Sequence, residues 1–113
     1  MTKQYKEITH SLSQSLRKLR HDMPEVMKGF SALAEAAGKE GALDKKTKEL
    51  IALALGVASR CEGCIGFHTQ TLSKLGASRE EVVETLGMAV YMGGGPSLMY
   101  AAEAIDAFEQ ACE

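Results

Sequence analysis

Apolar side chains at Tyr5, Ile8, Leu12, Leu16 and Leu19 recur at steps of three and four, with polar residues between them. That is the period of one face of a helix, so the first element is predicted to be an amphipathic helix with its other face in water. Asp22 and Glu25 have the spacing of a capping box, and Pro24 is tolerated in a first helical turn. A second helix is therefore expected from there, burying Val26, Met27, Phe30, Leu33 and Ala37. Gly38 and Gly41 bracket a loop, and Asp44 suits the N-cap of a third helix that runs to about Ser59. The middle of this helix, Leu50 to Ala58, is apolar on every side, the mark of a central element covered all round. A fourth helix starts near Cys61 and ends at Gly76. Ser78 and Glu81 form a second capping box, ahead of a helix carrying Val82, Val83, Leu86, Ala89 and Val90. Gly93-Gly94-Gly95-Pro96 ends it and opens a last helix whose apolar positions include Leu98, Met99, Ala102, Ile105 and Phe108.

No stretch alternates as a strand would. The expected architecture is all-α, about six helices joined by short connections. With 113 residues the chain has the length of one domain, expected to divide into an N-terminal helical pair over 1–42 and a core over 43–108. Aromatics are only 5% and Trp is absent, so the core must rest on Leu, Ile, Val, Met and Ala, with the six Met residues expected to fill it. Many interior positions are Ala or Gly. Such helices approach closely but bury little apolar area each, which points to a core completed against other copies of the chain, a homo-oligomer.

Charge narrows the function classes. Thirteen Lys and Arg against fifteen Asp and Glu leave a net charge of −2, with no excess for binding a polyanion, so nucleic acid is not an expected partner. No apolar run reaches the roughly 20 residues of a membrane span, and Met1 to Lys6 lack a signal-peptide apolar region. A cytoplasmic location is expected, where three cysteines do not build a disulfide framework.

Cys61-Glu62-Gly63-Cys64-Ile65-Gly66-Phe67-His68 holds the chemistry. On a helix beginning near Cys61, both thiols and the imidazole of His68 share one face. The exposed N–H groups of a helix start favour a thiolate, and a neighbouring histidine can accept its proton. One sulfur could then react with an oxidant and the other trap the sulfenic acid as a disulfide. This is the least that a two-cysteine peroxidase or disulfide reductase needs. Two other readings stay open: a structural pair of small buried cysteines, and a zinc site completed by Cys112, His10 or His21. Glu49 is either a solvated partner of Lys45 or an inward-facing carboxylate that accepts a proton from a histidine.

Glu49, Cys61, Cys64 and His68 together spell Glu-x11-Cys-x2-Cys-x3-His. With the flanking Leu43 to Ala54 and the Gly-Gly-Gly-Pro-Ser turn, the region from Leu43 to Phe108 resembles the carboxymuconolactone decarboxylase superfamily, in particular its alkylhydroperoxidase D-like (AhpD-like) members. The resemblance implies a helical fold assembling as a homotrimer or homohexamer, with the site near a subunit contact. It also implies a dithiol that reduces a small-molecule hydroperoxide or disulfide, with Glu49 as proton acceptor, His68 as relay, Cys61 and Cys64 as the redox pair, no cofactor, and an unidentified thiol as electron donor. His68 one turn from Cys64 favours Cys64 as the attacking thiol, whereas the helix dipole favours Cys61. Some members carry a histidine between the cysteines. Here Glu62-Gly63 stands there, and a carboxylate raises thiol pKa, so disulfide exchange is expected to be better developed than peroxidase activity. The decarboxylase branch typically lacks the cysteine pair, which makes a lyase the lesser alternative. Tyr91 is a further candidate for the pocket wall, Cys112 is expected to be an exposed, frayed thiol, and the triple glycine reads as a tight turn rather than an anion cradle.

Overall fold

The computed structural model describes residues 2–113, and all its regular structure is helical: α1 (Tyr5–Asp22), α2 (Pro24–Gly38), α3 (Lys45–Ala58), α4 (Glu62–Lys74), α5 (Arg79–Gly93) and α6 (Gly95–Ala111). The last four pack on one another. Leu53 and Val57 of α3, Ile65 and Leu72 of α4, Val82 and Leu86 of α5, and Ala101, Ala104, Ala107 and Phe108 of α6 form the buried core, closed at one side by Tyr5 of α1. Helix α3 touches α4, α5 and α6, and so is central as its composition predicts.

The helix starts show why the chain breaks where it does. Asp44 caps α3, its carboxylate accepting from the Thr47 N–H at 2.7 Å. Ser78 and Glu81 close a reciprocal capping box on α5, with bonds of 3.1 and 2.8 Å. The third predicted cap does not form. Asp22 is the last residue of α1, and a single residue, Met23, separates α1 from α2 and occupies the N-cap with no side-chain bond. A residue still inside one helix has the wrong backbone angles to cap the next. The Gly-rich run is a tight interhelical turn, as expected: Gly94, at φ 73°, alone separates α5 from α6.

Burial departs from expectation in an ordered way. No residue of α2 is buried, and Val26, Phe30 and Leu33 are 64, 66 and 64% exposed. The outward faces of α1 and α3 are bare at Leu12, Leu19, Ile51 and Leu55, so α3 is not covered all round, and Val83 of α5 is exposed as well. Helix α6 turns Ala101, Ala104, Ala107 and Phe108 inward and leaves Leu98, Met99 and Ala102 outside. Small residues let α6 approach α4 and α5 closely, and this sets its rotation. None of the described methionines lies in the core, and Met1 falls outside the described residues. The radius of gyration, 14.3 Å, exceeds the roughly 13 Å of a compact chain this long because α2 stands off from the body.

Candidate active site

The site is built where α3 crosses α4. Helix α3 ends at Ala58, and Arg60, a non-glycine residue at φ 57°, reverses the chain so that the Cys61 N–H donates to the Gly56 carbonyl at 2.9 Å. Cys61 thereby becomes the N-cap of α4 rather than a residue of its first turn. Its Sγ accepts the Cys64 N–H at 3.1 Å, as a capping oxygen would elsewhere. The two cysteines are joined as a disulfide, with Cα atoms 5.2 Å apart. Both are half-buried.

Glycines set how deep this segment lies. A Cβ on Gly56 of α3 would come within 2.9 Å of the Cys64 Cβ. On the other side, a Cβ on Gly66 would meet Thr9 at 2.5 Å, and one on Gly63 would meet Leu12 at 2.9 Å. Helix α4 is thus in close contact with α3 along the cysteine face and with α1 along its glycine face. Thr9 adds a polar tie, accepting from the Gln70 side chain at 3.0 Å.

One turn beyond Cys64, His68 Nδ1 lies 2.5 Å from Glu49 Oε2 of α3. With Nδ1–H donating to the carboxylate, the free lone pair is on Nε2. The side chains of Glu49 and His68 are 21 and 33% exposed, so the carboxylate does turn inward rather than into water beside Lys45. Both line a cleft of about 630 Å³ between α3 and the C-terminal end of α2, walled by Ala34, Ala37, Gly38 and Ala52. Lys48, across that end, donates to the carbonyls of Ala37 and Lys39, satisfying acceptors that the last turn of α2 leaves free.

The four residues singled out in the sequence therefore meet as two joined pairs, Glu49 with His68 and Cys61 with Cys64. Tyr91 is not with them. It is 78% exposed and absent from the cleft wall. Cys112 is an exposed free thiol at the end of α6. His10 lies by Gln14 and His21 by Asp22, so the zinc set does not assemble. Among the described residues no three His, Cys, Asp or Glu side chains converge as a metal site would require.

One participant carried no signal in the sequence. The ammonium of Lys3 bonds both Glu62, between the cysteines, and Glu103 of α6, the latter at 2.8 Å. Glu103 also accepts the Tyr5 hydroxyl at 2.7 Å. Burial opposes the charge on Glu103, but the bonds from Lys3 and Tyr5 outweigh it and hold the carboxyl below its usual range. Burial, together with that carboxylate, pushes the Tyr5 hydroxyl up.

Residues 24–107, from the start of α2 almost to the end of α6, match the carboxymuconolactone decarboxylase family. The chain belongs to that family. A carboxymuconolactone decarboxylase family protein from Legionella pneumophila is 67% identical, covers 96% of this chain and 97% of its own, and superposes with a TM-score of 0.94. A family member from Thermotoga maritima, for which a part in an antioxidative response has been suggested, is 31% identical over 89% of this chain and 86% of its own, with a TM-score of 0.79. An uncharacterized protein of Cupriavidus necator is 36% identical over 96% of each chain. Among the described residues no helix is long and apolar enough to cross a membrane.

Proposed function

We propose that the chain is a thiol oxidoreductase of the AhpD-like type that reduces hydroperoxides or exchanges disulfides through Cys61 and Cys64. The observation that carries this reading is the Glu49–His68 hydrogen bond, one helical turn from a cysteine already joined to its partner. In the reduced protein, His68 Nε2 takes the Cys64 proton while Glu49 stabilises the imidazolium. The Cys64 thiolate attacks the outer peroxide oxygen. An S–O bond forms, the O–O bond breaks, and the alcohol leaves with a proton from His68. Cys61, its thiolate favoured by the Cys64 N–H, then attacks the sulfenic sulfur; the S–S bond forms, the S–O bond breaks, and the hydroxide leaves as water with the proton that the Cys61 thiol gave up. Two thiols have been oxidised and one peroxide reduced. An external dithiol restores the pair, attacking at Cys64 and releasing Cys61.

Placed in a cytoplasm, such a cycle would draw on a cellular thiol as donor and serve antioxidant defence. The bare apolar faces of α2, α3 and α6 fit a homotrimer or homohexamer in which a neighbouring subunit completes the site. The test is a count of free thiols and an intact mass before and after one equivalent of hydroperoxide. Reduced protein should lose two thiols and 2 Da without an adduct, and recover them with dithiol. Cys64→Ser should abolish that response, and its survival would sink the assignment.

A further inference from the structure

The N-terminal segment is strapped to α6 and to the redox motif by side-chain bonds. Gln110 of α6 receives the Tyr5 N–H at 2.9 Å and donates to the Lys3 carbonyl at 2.7 Å, which fixes the backbone at residues 3 to 5. The Lys3 side chain then reaches across to Glu62, the residue after Cys61. We infer that Lys3 is a positioning residue that compensates the Glu62 carboxylate, so that Cys61 can be released as a thiolate.

The physics is local. Glu62 in the first turn of α4 favours the helix, but its charge opposes a thiolate on the adjacent N-cap. A leaving thiol departs faster the more stable its thiolate, so an uncompensated Glu62 would slow the opening of the disulfide at Cys64. The other charges around Cys61 do not replace Lys3. Glu7 of α1, beside Lys3 and Glu62, and Glu103 of α6 are acidic. The base of α4 carries His68 a full two turns away, and α3 presents Gly56 there. Arg60 precedes Cys61 but makes no ion pair with Glu62. The role assigned to Cys61 rests on the redox reading above, whereas the compensation itself does not.

The test uses the full chain with Cys64→Ser and Cys112→Ser, leaving Cys61 as its one thiol, and follows alkylation by iodoacetamide against pH. Lys3→Met should raise the midpoint by about half a unit, slowing alkylation roughly threefold below it. Lys3→Arg should restore the profile. Glu62→Gln should move it the opposite way, and Lys3→Met with Glu62→Gln should return close to the starting value. In the chain with both cysteines, Lys3→Met should make the dithiol–disulfide potential more negative. A profile unmoved by Lys3→Met overturns the inference, even if the melting temperature falls, since a mere strap would do that. So does a shift that Glu62→Gln leaves in place. No peroxide enters these measurements, so failure of the thiol cycle and failure of the compensation are read separately.

Discussion

Helices α2 and α4 are similar in length and both carry apolar residues at helical spacing, yet one buries nothing and the other is pinned on two sides. Helix α4 hides Ile65, Gly66, Thr69 and Leu72, while the Val26, Phe30 and Leu33 stripe of α2 faces outward. The difference teaches that a periodic stripe states a need for cover and is silent about what supplies it. Glycine and threonine mark the better-packed helix here. Close approach of backbones replaces side-chain bulk, and the larger apolar residues of α2 are left on the surface of the chain.

The sharpest way to break this comparison is to truncate one residue in each helix. Ile65→Ala should cost about 2–5 kcal/mol, because a fully buried side chain leaves a cavity. Phe30→Ala should cost less than about 1 kcal/mol in the dilute single chain, yet lower the assembly mass seen by light scattering. Equal losses of melting temperature at dilutions where the chain is alone would erase the distinction. A smaller effect separates the helix starts. Ser78→Ala should destabilise by about 1 kcal/mol by opening the α5 capping box, while Asp22→Ala, at the cap expected for α2 that does not form, should change stability by no more than about 0.5 kcal/mol. Urea unfolding of the two variants side by side would decide it.

The smallest effect is electrostatic. The Lys46 ammonium, 2.8 Å from Glu81, and the Ser78 N–H hold the Glu81 carboxyl below its usual 4.5. A carboxyl lowered in the folded state stabilises the fold above its unfolded value and loses that contribution as pH falls through the folded one. The melting temperature should therefore decline on acidification below about pH 4.5, and Lys46→Met should flatten the decline.

Most of the fold was legible because six helices with short connections are a local matter, decided by period, caps and glycine stops. The caps at Asp44 and Ser78 formed as read. The one at Asp22 did not, since nothing local shows that α1 extends through Asp22 itself. The rotation of α6 was not legible for a physical reason: large apolar residues weigh more in a periodicity than alanines, but alanines decide how closely helices approach. As for the site, a single helix face accounts for Cys61, Cys64 and His68, whereas Glu49 lies nineteen residues before His68 and was marked chiefly by the family pattern. Lys3, fifty-nine residues from Glu62, had no local pattern to announce it.

The glycine contacts on both sides of α4 also bear on motion. Opening the disulfide requires the two sulfurs to part, yet Cys64 is seated against Gly56, and Gly63 and Gly66 are seated against α1. Helix α4 is closely packed on both sides. The separation falls to Cys61, which stands outside the helix as its cap and hangs from the turn at Arg60. In the cycle proposed above, the sulfurs would part by a rocking of this one residue, with α4 and the cleft beside Glu49 and His68 as the frame.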